Sequence, residues 1–393
     1  MEIILYVFEG ILLLYFAFSV FYTLIFSISS HLDEPMPHAK WSKPRFRFCV
    51  LIPAYKEDRV ILETAKSAAF NQSYPSNLYD VIVIADQLKP STIEKLEQLP
   101  IQVITVSFDK STKVKSLNRA LDQLDDIYEY AVILDADNVM EFDFLDKLST
   151  LYETKDYAVV QGQRKPKNDQ TTLAFLDGVS EAINTSIFRR GTSAIGLSSS
   201  ISGSGFSARF NLLREELGKM NSVGGFDREL ELKFIKRGHQ VHYQHDLAVY
   251  DEKVSNSKSF ENQRKRWISS QYIYLARYAK EGFLQLLKGN LSFFNSSILR
   301  NIQLPRLLNI GFLTFSLVLM FLINNYTYTS ASSWAVVYLI YVIATFIAIP
   351  TEFYTSRLLY SILSLPSIFW KMLNAFFQIK TANKKFIHTP HEA

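Results

Sequence analysis

An alternation between residues 46 and 137 restricts the fold more than any other feature of the chain. Short apolar runs at 46–53 (FRFCVLIP), 79–86 (YDVIVIAD), 101–106 (IQVITV) and 130–137 (YAVILDAD) are separated by segments with helical apolar spacing at 59–70, 92–98 and 114–124. Such runs fit strands buried on both faces, and the intervening segments are long enough to bring the chain back as crossover helices. The predicted architecture is α/β, with a mostly parallel sheet built from βαβ units. Ligands on such sheets sit at the carboxyl ends of the strands, where Tyr55, Asp86, Asp135 and Asp137 fall. No Gly-x-Gly-x-x-Gly follows the first run, and Gly203-Ser204-Gly205 comes too late to supply one, which disfavours a dinucleotide-dependent dehydrogenase.

The ends of the chain are built differently. Residues 3–27 form an apolar run of about 25 residues with Glu9 as its one acid, enough for a helix to cross a hydrocarbon core of about 30 Å. The basic start and small-residue cleavage site of a signal peptide are not evident, so the run is expected to persist as a spanning helix. His38, Lys40, Lys43, Arg45 and Arg47 follow it. An excess of basic residues beside a span faces the cytoplasm, which puts the next domain on the cytoplasmic side of a plasma (inner) membrane.

Two further spans are expected at 307–323 and 334–349, joined by the uncharged stretch NNYTYTSASS. The run 358–379 contains Pro366 and Lys371 and is followed by Lys380, Lys384 and Lys385; it reads as an interfacial or broken helix, with another span as the alternative. Segments 175–197 and 272–294 mix apolar residues with Arg189, Arg190, Arg277, Lys280 and Lys288, and fit either bilayer-surface helices or core helices. The chain thus divides into an N-terminal span (1–30), a cytosolic catalytic domain (45–270), interfacial helices (271–303) and a C-terminal membrane region with a basic tail (304–393).

Composition agrees with this division. Of 393 residues 48% are hydrophobic, yet 20% are charged, as for apolar blocks joined to an ordinary domain. A net charge of +4 is too small and scattered to argue for nucleic acid. Cys49, the single cysteine, excludes an internal disulfide and a cysteine metal site.

Several clusters carry chemistry. Asp135-Ala136-Asp137 offers hard carboxylate oxygens suited to Mg²⁺ or Mn²⁺ bridging to ligand phosphates, although a solvated strand end has the same sequence. Asp86 can hydrogen-bond a nucleobase or ribose, or cap the helix that follows. Lys113 and Lys115 stand at a helix start, suited to phosphate or to a solvated basic turn. Asp227, on the Gly-rich entry to a helix, can serve as a general base or as a cap. Gln263, Arg264, Lys265, Arg266 and Trp267 combine an amide, cations and an indole able to hold a diphosphate and stack a sugar, with membrane-surface binding as the competing use.

In order, VLIPAYKE, VIVIAD, KVKSLN, DAD, GSGFSAR, GGFD with a helix ending in RG, and QRKRW resemble the family 2 glycosyltransferases. The resemblance is to their membrane-bound branch, which includes cellulose, hyaluronan and related polysaccharide synthases, and it runs from Phe46 to Trp267. It implies a GT-A (nucleotide-diphospho-sugar transferase) domain with a mostly parallel mixed sheet, flanked by N- and C-terminal transmembrane helices.

By the same resemblance, Tyr55 and Glu57 border the nucleotide, Asp86 contacts uridine and Lys115 lies near the pyrophosphate. Asp137 is the main metal ligand, with Asp135 supporting it or the donor sugar. Gln263, Arg266 and Trp267 match Gln-x-x-Arg-Trp, with Arg264 helping. Asp227 keeps the spacing to Gly238 expected of the base, but the Thr and Glu that precede the base in relatives are missing, so Glu229 is a rival. The implied reaction is metal-dependent and inverting, from a UDP-sugar to a polysaccharide or membrane-associated acceptor, forming a β-linkage. A single addition to a lipid acceptor and a non-catalytic scaffold are the alternatives. The C-terminal segments supply limited material for a channel, so export would need partner subunits.

Overall fold

A computed structural model describes residues 2–32, 36, 45–222, 224–323, 327 and 329–378. His38, Lys40, Lys43, Lys380, Lys384, Lys385 and residues 324–326 and 328 of NNYTYTSASS lie outside the described residues.

Strands run at Phe48–Tyr55 (β1), Tyr79–Asp86 (β2), Gln102–Val106 (β3), Tyr130–Ile133 (β4), Val139–Met140 (β5), Val159–Pro166 (β6), Phe206–Arg209 (β7) and Val241–Asp251 (β8). They form an eight-stranded sheet in the order β3-β2-β1-β4-β7-β6-β8-β5. β1 pairs in parallel with β2 and β4, β2 with β3, and β6 with β8, while β7 runs antiparallel to β4 and β6, and β5 to β8. The sheet is therefore mixed, with the expected parallel half first in the chain.

β1 is apolar throughout because both of its faces are covered. Phe48, Val50 and Ile52 pack in one core with Ile61, Ala65, Phe144 and Leu148, and Cys49 and Leu51 pack in another with Leu117, Leu121, Phe210 and Phe234. β4 ends at Ile133, earlier than the sequence suggests. The Asn138 side-chain carbonyl accepts from the Asp135 backbone N–H at 3.2 Å, and the Asn138 backbone N–H donates to the Asp135 carbonyl at 3.1 Å. That turn lifts Asp135 and Asp137 out of the ladder onto the sheet edge.

The Glu2–Ser29 helix is long and apolar enough to cross a membrane; among the described residues Leu291–Ile302 with Arg306–Leu322, bent by 53°, forms a second such stretch only if counted as one span. Ala331–Ile347 is shorter, and the last apolar run is broken into Ser356–Ile362 and Leu365–Phe377, with Pro366 in the first turn of the second piece. The Thr172–Thr185 helix ties these elements to the sheet: Phe175, Val179 and Ile183 pack with Tyr22, Phe26, Ile349 and Leu358. Just beyond it, a Cβ on Gly191 would collide with the carbonyl oxygen of Phe26, so only glycine permits this backbone contact. The Ser257–Leu287 helix, 31 residues long, runs unbroken through residue 270, where the sequence suggested a domain boundary.

Glu9 is 1% exposed despite its apolar helix. Its carboxylate accepts from the Thr329 amide at 3.0 Å and from the Thr329 hydroxyl, which in turn accepts from the Trp334 indole at 3.0 Å. Glu9→Leu strips the Thr329 amide of its acceptor in a dry setting. The expected cost is about 1–3 kcal/mol, seen as a lower midpoint in thermal unfolding of the detergent-solubilised chain.

Candidate active site

The parallel strands end together, with Tyr55 of β1 in register with Asp86 of β2. Beyond them the chain turns sharply: Lys56, at a φ of 59°, donates its amide to the Asp86 carbonyl at 3.1 Å. Asp86 does not cap the following helix. Asp58 is the acid that meets the start of that helix, accepting from the Lys89 amide at 2.8 Å and the Thr92 hydroxyl at 2.7 Å. Both carboxylate oxygens of Asp86 are buried with no hydrogen-bond partner among the described residues. Burial pushes its carboxyl above the usual range, against the pull of Ser111, Lys56 and Ser116. An acceptor pair held in this way is prepared for N–H or O–H donors from a ligand.

A raised acid pKa means that the ionised form costs stability above the folded-state value, a cost that disappears below the unfolded value of about 3.9. Asp86→Asn is therefore expected to raise the thermal midpoint at pH 7, with the gain fading as the pH falls towards 4. The same substitution should weaken donor-nucleotide binding about tenfold, measurable by calorimetry.

Asp137 is buried; its Oδ1 accepts from Asn138 Nδ2 at 3.0 Å and its Oδ2 from the Glu252 amide at 2.9 Å. Asp135 faces the opening. Burial raises its carboxyl, but Lys113 and then Arg164 outweigh burial and hold it below the usual range. The Lys113 ammonium pairs with Asp135 and donates to the Gly203 carbonyl at 2.9 Å. Lys115, the lysine expected near the pyrophosphate, turns away: it donates to the Lys110 carbonyl at 3.0 Å and lies over the Phe108 ring. Of the two lysines, Lys113 is the one that lines the site.

Among the described residues no group of three or more His, Cys, Asp or Glu side chains is placed to enclose a metal. Asp135 and Asp137 fit a cation held partly by ligand phosphates and water, as Mg²⁺ commonly is, rather than an all-protein cage.

Asp227 lies in the first turn of the Phe226–Lys236 helix. Gly225 is the N-cap, with no side-chain capping bond, so Asp227 is not used as a cap. Gly225 has a φ of 66°, and a Cβ there would lie 2.9 Å from Ser270 and Tyr274 side-chain atoms, which presses this loop against the Ser257–Leu287 helix. The Asp227 carboxylate faces Gly203, whose Cβ position lies 3.8 Å from Oδ2. Glu229, the rival base, points elsewhere: it is buried against Tyr274 Oη at 3.3 Å and Arg277 Nη1 at 3.2 Å.

On the Ser257–Leu287 helix, Arg264 pairs with the buried Asp177 and stacks its guanidinium 4.4 Å from the Trp267 ring centroid, so it braces the indole. Burial lowers the Arg266 guanidinium from its ordinary range, and Asp135 offsets part of that. The Gln263 side-chain carbonyl is buried with no hydrogen-bond partner among the described residues.

Every site residue expected from the sequence, Lys115, Glu229 and Lys265 excepted, lines one cavity of ≈ 910 Å³ over the carboxyl ends of β1, β2 and β4. Arg164, Asp251 and Lys253 also line it and were not expected. Arg164 pairs with Asp251, and Lys253 Nζ lies 2.8 Å from the same carboxylate. They sit on or just beyond β6 and β8, whose polar sequences hide them as strands.

Comparison with known proteins bears on this geometry. No curated protein sequence matches the chain. Among solved structures, the mannosyltransferase PcManGT from Pyrobaculum calidifontis, in complex with GDP-Man and Mn²⁺, is similar over 93% of this chain and 99% of its own, with a TM-score of 0.58 and 17% identity. That likeness shows a shared fold. TarS 1-349 from S. aureus in complex with UDP matches 57% of this chain and 65% of its own at 17% identity, with a TM-score of 0.39, too low to build on. The family described as "Glycosyltransferase like family 2" matches residues 44–270, more than half of the chain. The protein thus belongs to the family 2 glycosyltransferases, with a GT-A-like fold.

Proposed function

We infer that the chain is an inverting, metal-dependent transferase that moves a sugar from a nucleoside-diphosphate donor to an acceptor hydroxyl at a membrane. The observation that carries this is the convergence of Asp86, Asp137, Asp227, Gln263, Arg266 and Trp267 on one cavity at the strand ends. Asp86 receives the nucleobase. Lys113 and Arg266 attract the diphosphate, and Trp267 offers its ring to the sugar. A divalent cation, Mg²⁺ or Mn²⁺, held by Asp137 with Asp135 beside it, supplies positive charge to the leaving nucleotide when bound.

Asp227 takes the proton of the acceptor hydroxyl, whose oxygen attacks the anomeric carbon from the side opposite the diphosphate. The C–O bond to the diphosphate breaks as the new bond forms, and an α-linked donor yields a β-linkage. Lys113 and Arg266 offset the charge that grows on the departing group.

The donor expected from the sequence is a UDP-sugar. A GDP-sugar is a second reading, favoured by the two unpartnered oxygens of Asp86, which can accept both the ring N–H and the amino group of guanine. The likeness to PcManGT, solved with GDP-Man, supports keeping it.

Apolar side chains exposed on the flanking helices, such as Leu14 at 72% and Leu322 at 78%, support bilayer anchoring, since hydrocarbon would cover them at no cost in lost water contacts. The basic residues after the first helix support a cytosolic domain at an inner membrane.

Incubating the purified chain with radiolabelled UDP- and GDP-sugars, with and without chelator, tests the reading. Metal-dependent nucleotide release from one donor and a β-configured product are expected. Release that survives chelation removes the metal role, an α-configured product removes inversion, and no release from any donor removes the assignment.

A further inference from the structure

The cavity does not stop at the polar residues. It continues between the Thr172–Thr185, Arg306–Leu322 and Ala331–Ile347 helices, where Val179, Ile183, Leu307, Ile310, Val342 and Phe346 line it. A carbohydrate chain gains nothing from such a limb, because its hydroxyls would exchange water for hydrocarbon. An alkyl or isoprenoid chain gains by burial there.

The cations of the cavity add a second observation. Arg164, Arg189, Arg264 and Arg300 each face a carboxylate, of Asp251, Glu181, Asp177 and Glu231. Arg228 and Arg306 also line the cavity, yet neither has a carboxylate within ion-pair distance among the described residues. Arg228 Nη1 donates to the Asn301 side chain at 2.6 Å, and Arg306 Nη2 to the Ser180 carbonyl at 3.1 Å and hydroxyl at 3.2 Å. Burial, with Arg300 beside it, holds the Arg228 guanidinium down to about 10. Arg306 opens the apolar helix whose Leu307 and Ile310 line the limb. Arg228 still feels Asp227 and Glu231, whereas Arg306, with no carboxylate in ion-pair distance among the described residues where the polar chamber meets the apolar limb, matches the phosphate of an amphiphile.

We propose that the acceptor is an anionic lipid, its hydrocarbon chain in the apolar limb, its phosphate on Arg306 at the start of that limb, and a hydroxyl of its headgroup at Asp227. This rests on the glycosyltransferase reading and names the substrate class of the same site. It replaces the polysaccharide acceptor suggested by the QRKRW motif. In the step, the headgroup O–H proton goes to Asp227, the oxygen bonds to the anomeric carbon, and the nucleoside diphosphate departs with the electron pair of the bond it loses.

The test uses the full chain in detergent with phosphatidylinositol bearing a photoreactive acyl chain, a probe with chain, phosphate and hydroxyls. Expected is labelling of residues in the apolar limb, competed by unlabelled phosphatidylinositol but neither by inositol phosphate, which lacks the chain, nor by diacylglycerol, which lacks the phosphate. Ile310→Trp, which fills the limb, and Arg306→Gln, which removes the cation, should each weaken labelling about tenfold. Retained binding of UDP or GDP in both variants shows that they fold. Labelling that persists in both variants, or that diacylglycerol competes equally, overturns the proposal. The readout needs no turnover, so an inactive chain that still takes up the lipid defeats the transferase reading alone, and an active chain that excludes it defeats this proposal alone.

Discussion

Asp227→Asn is expected to lower sugar transfer by about a hundredfold or more, with donor binding close to unchanged. The carboxylate lies in the first turn of its helix without a capping bond, facing Gly203 across the cavity, so its removal breaks no structural contact among the described residues. The amide keeps the volume and loses the basicity. Steady-state rates of nucleotide release with acceptor present, set beside calorimetric donor affinity, separate the two effects. Glu229→Gln provides the contrast. Its carboxylate supports Tyr274 and Arg277 behind the site, so the loss should appear in thermal stability more than in rate. If the Asn variant keeps its rate while the Glu229 variant loses it, the base has been assigned to the wrong acid.

Asp137→Asn should be comparably severe but of a different kind. The substitution preserves shape and can keep the bond from the Glu252 amide through its own carbonyl oxygen. It removes a negative charge and an anionic ligand from the place where a hard cation would sit, so a fall of about a hundredfold in turnover and a need for much higher Mn²⁺ are expected. Titrating Mn²⁺ against nucleotide release for both forms reads this directly. An unchanged metal requirement would leave Asp137 as a structural acid closing the turn after β4.

The parallel half of the fold was readable because β1, β2 and β4 are apolar on both faces and leave a plain pattern. β6 and β8 were not, since VVQGQRKP and VHYQHDLAVYD carry polar groups of the cavity wall and break the apolar pattern. The acids at strand ends were legible for a topological reason: a parallel sheet delivers them to one edge. Two choices between neighbours were not legible, and both have the same geometry. Lys113 and Lys115 open one helix, and Asp227 and Glu229 lie in the first turn of another. Positions two apart on a helix are rotated by about 200°, so one member of each pair faces the cavity and the other faces away. Spacing alone does not say which. The resemblance favoured Lys115 and Asp227, and helix orientation against the sheet turns Lys113 and Asp227 towards the cavity.

The Ser257–Leu287 helix joins three parts of the molecule around the cavity. Gln263, Arg266 and Trp267 occupy its first turns, Ser270 and Tyr274 abut the loop before Asp227, and Gln271 donates to the Asn301 and Gln303 carbonyls at 3.1 and 2.6 Å, at the foot of the apolar helices. A rod gripped at these points transmits displacement without bending much, so a shift of the apolar helices would carry Trp267 and the loop before Asp227 along as one body. Their mutual spacing would then survive a tilt of those helices against the sheet.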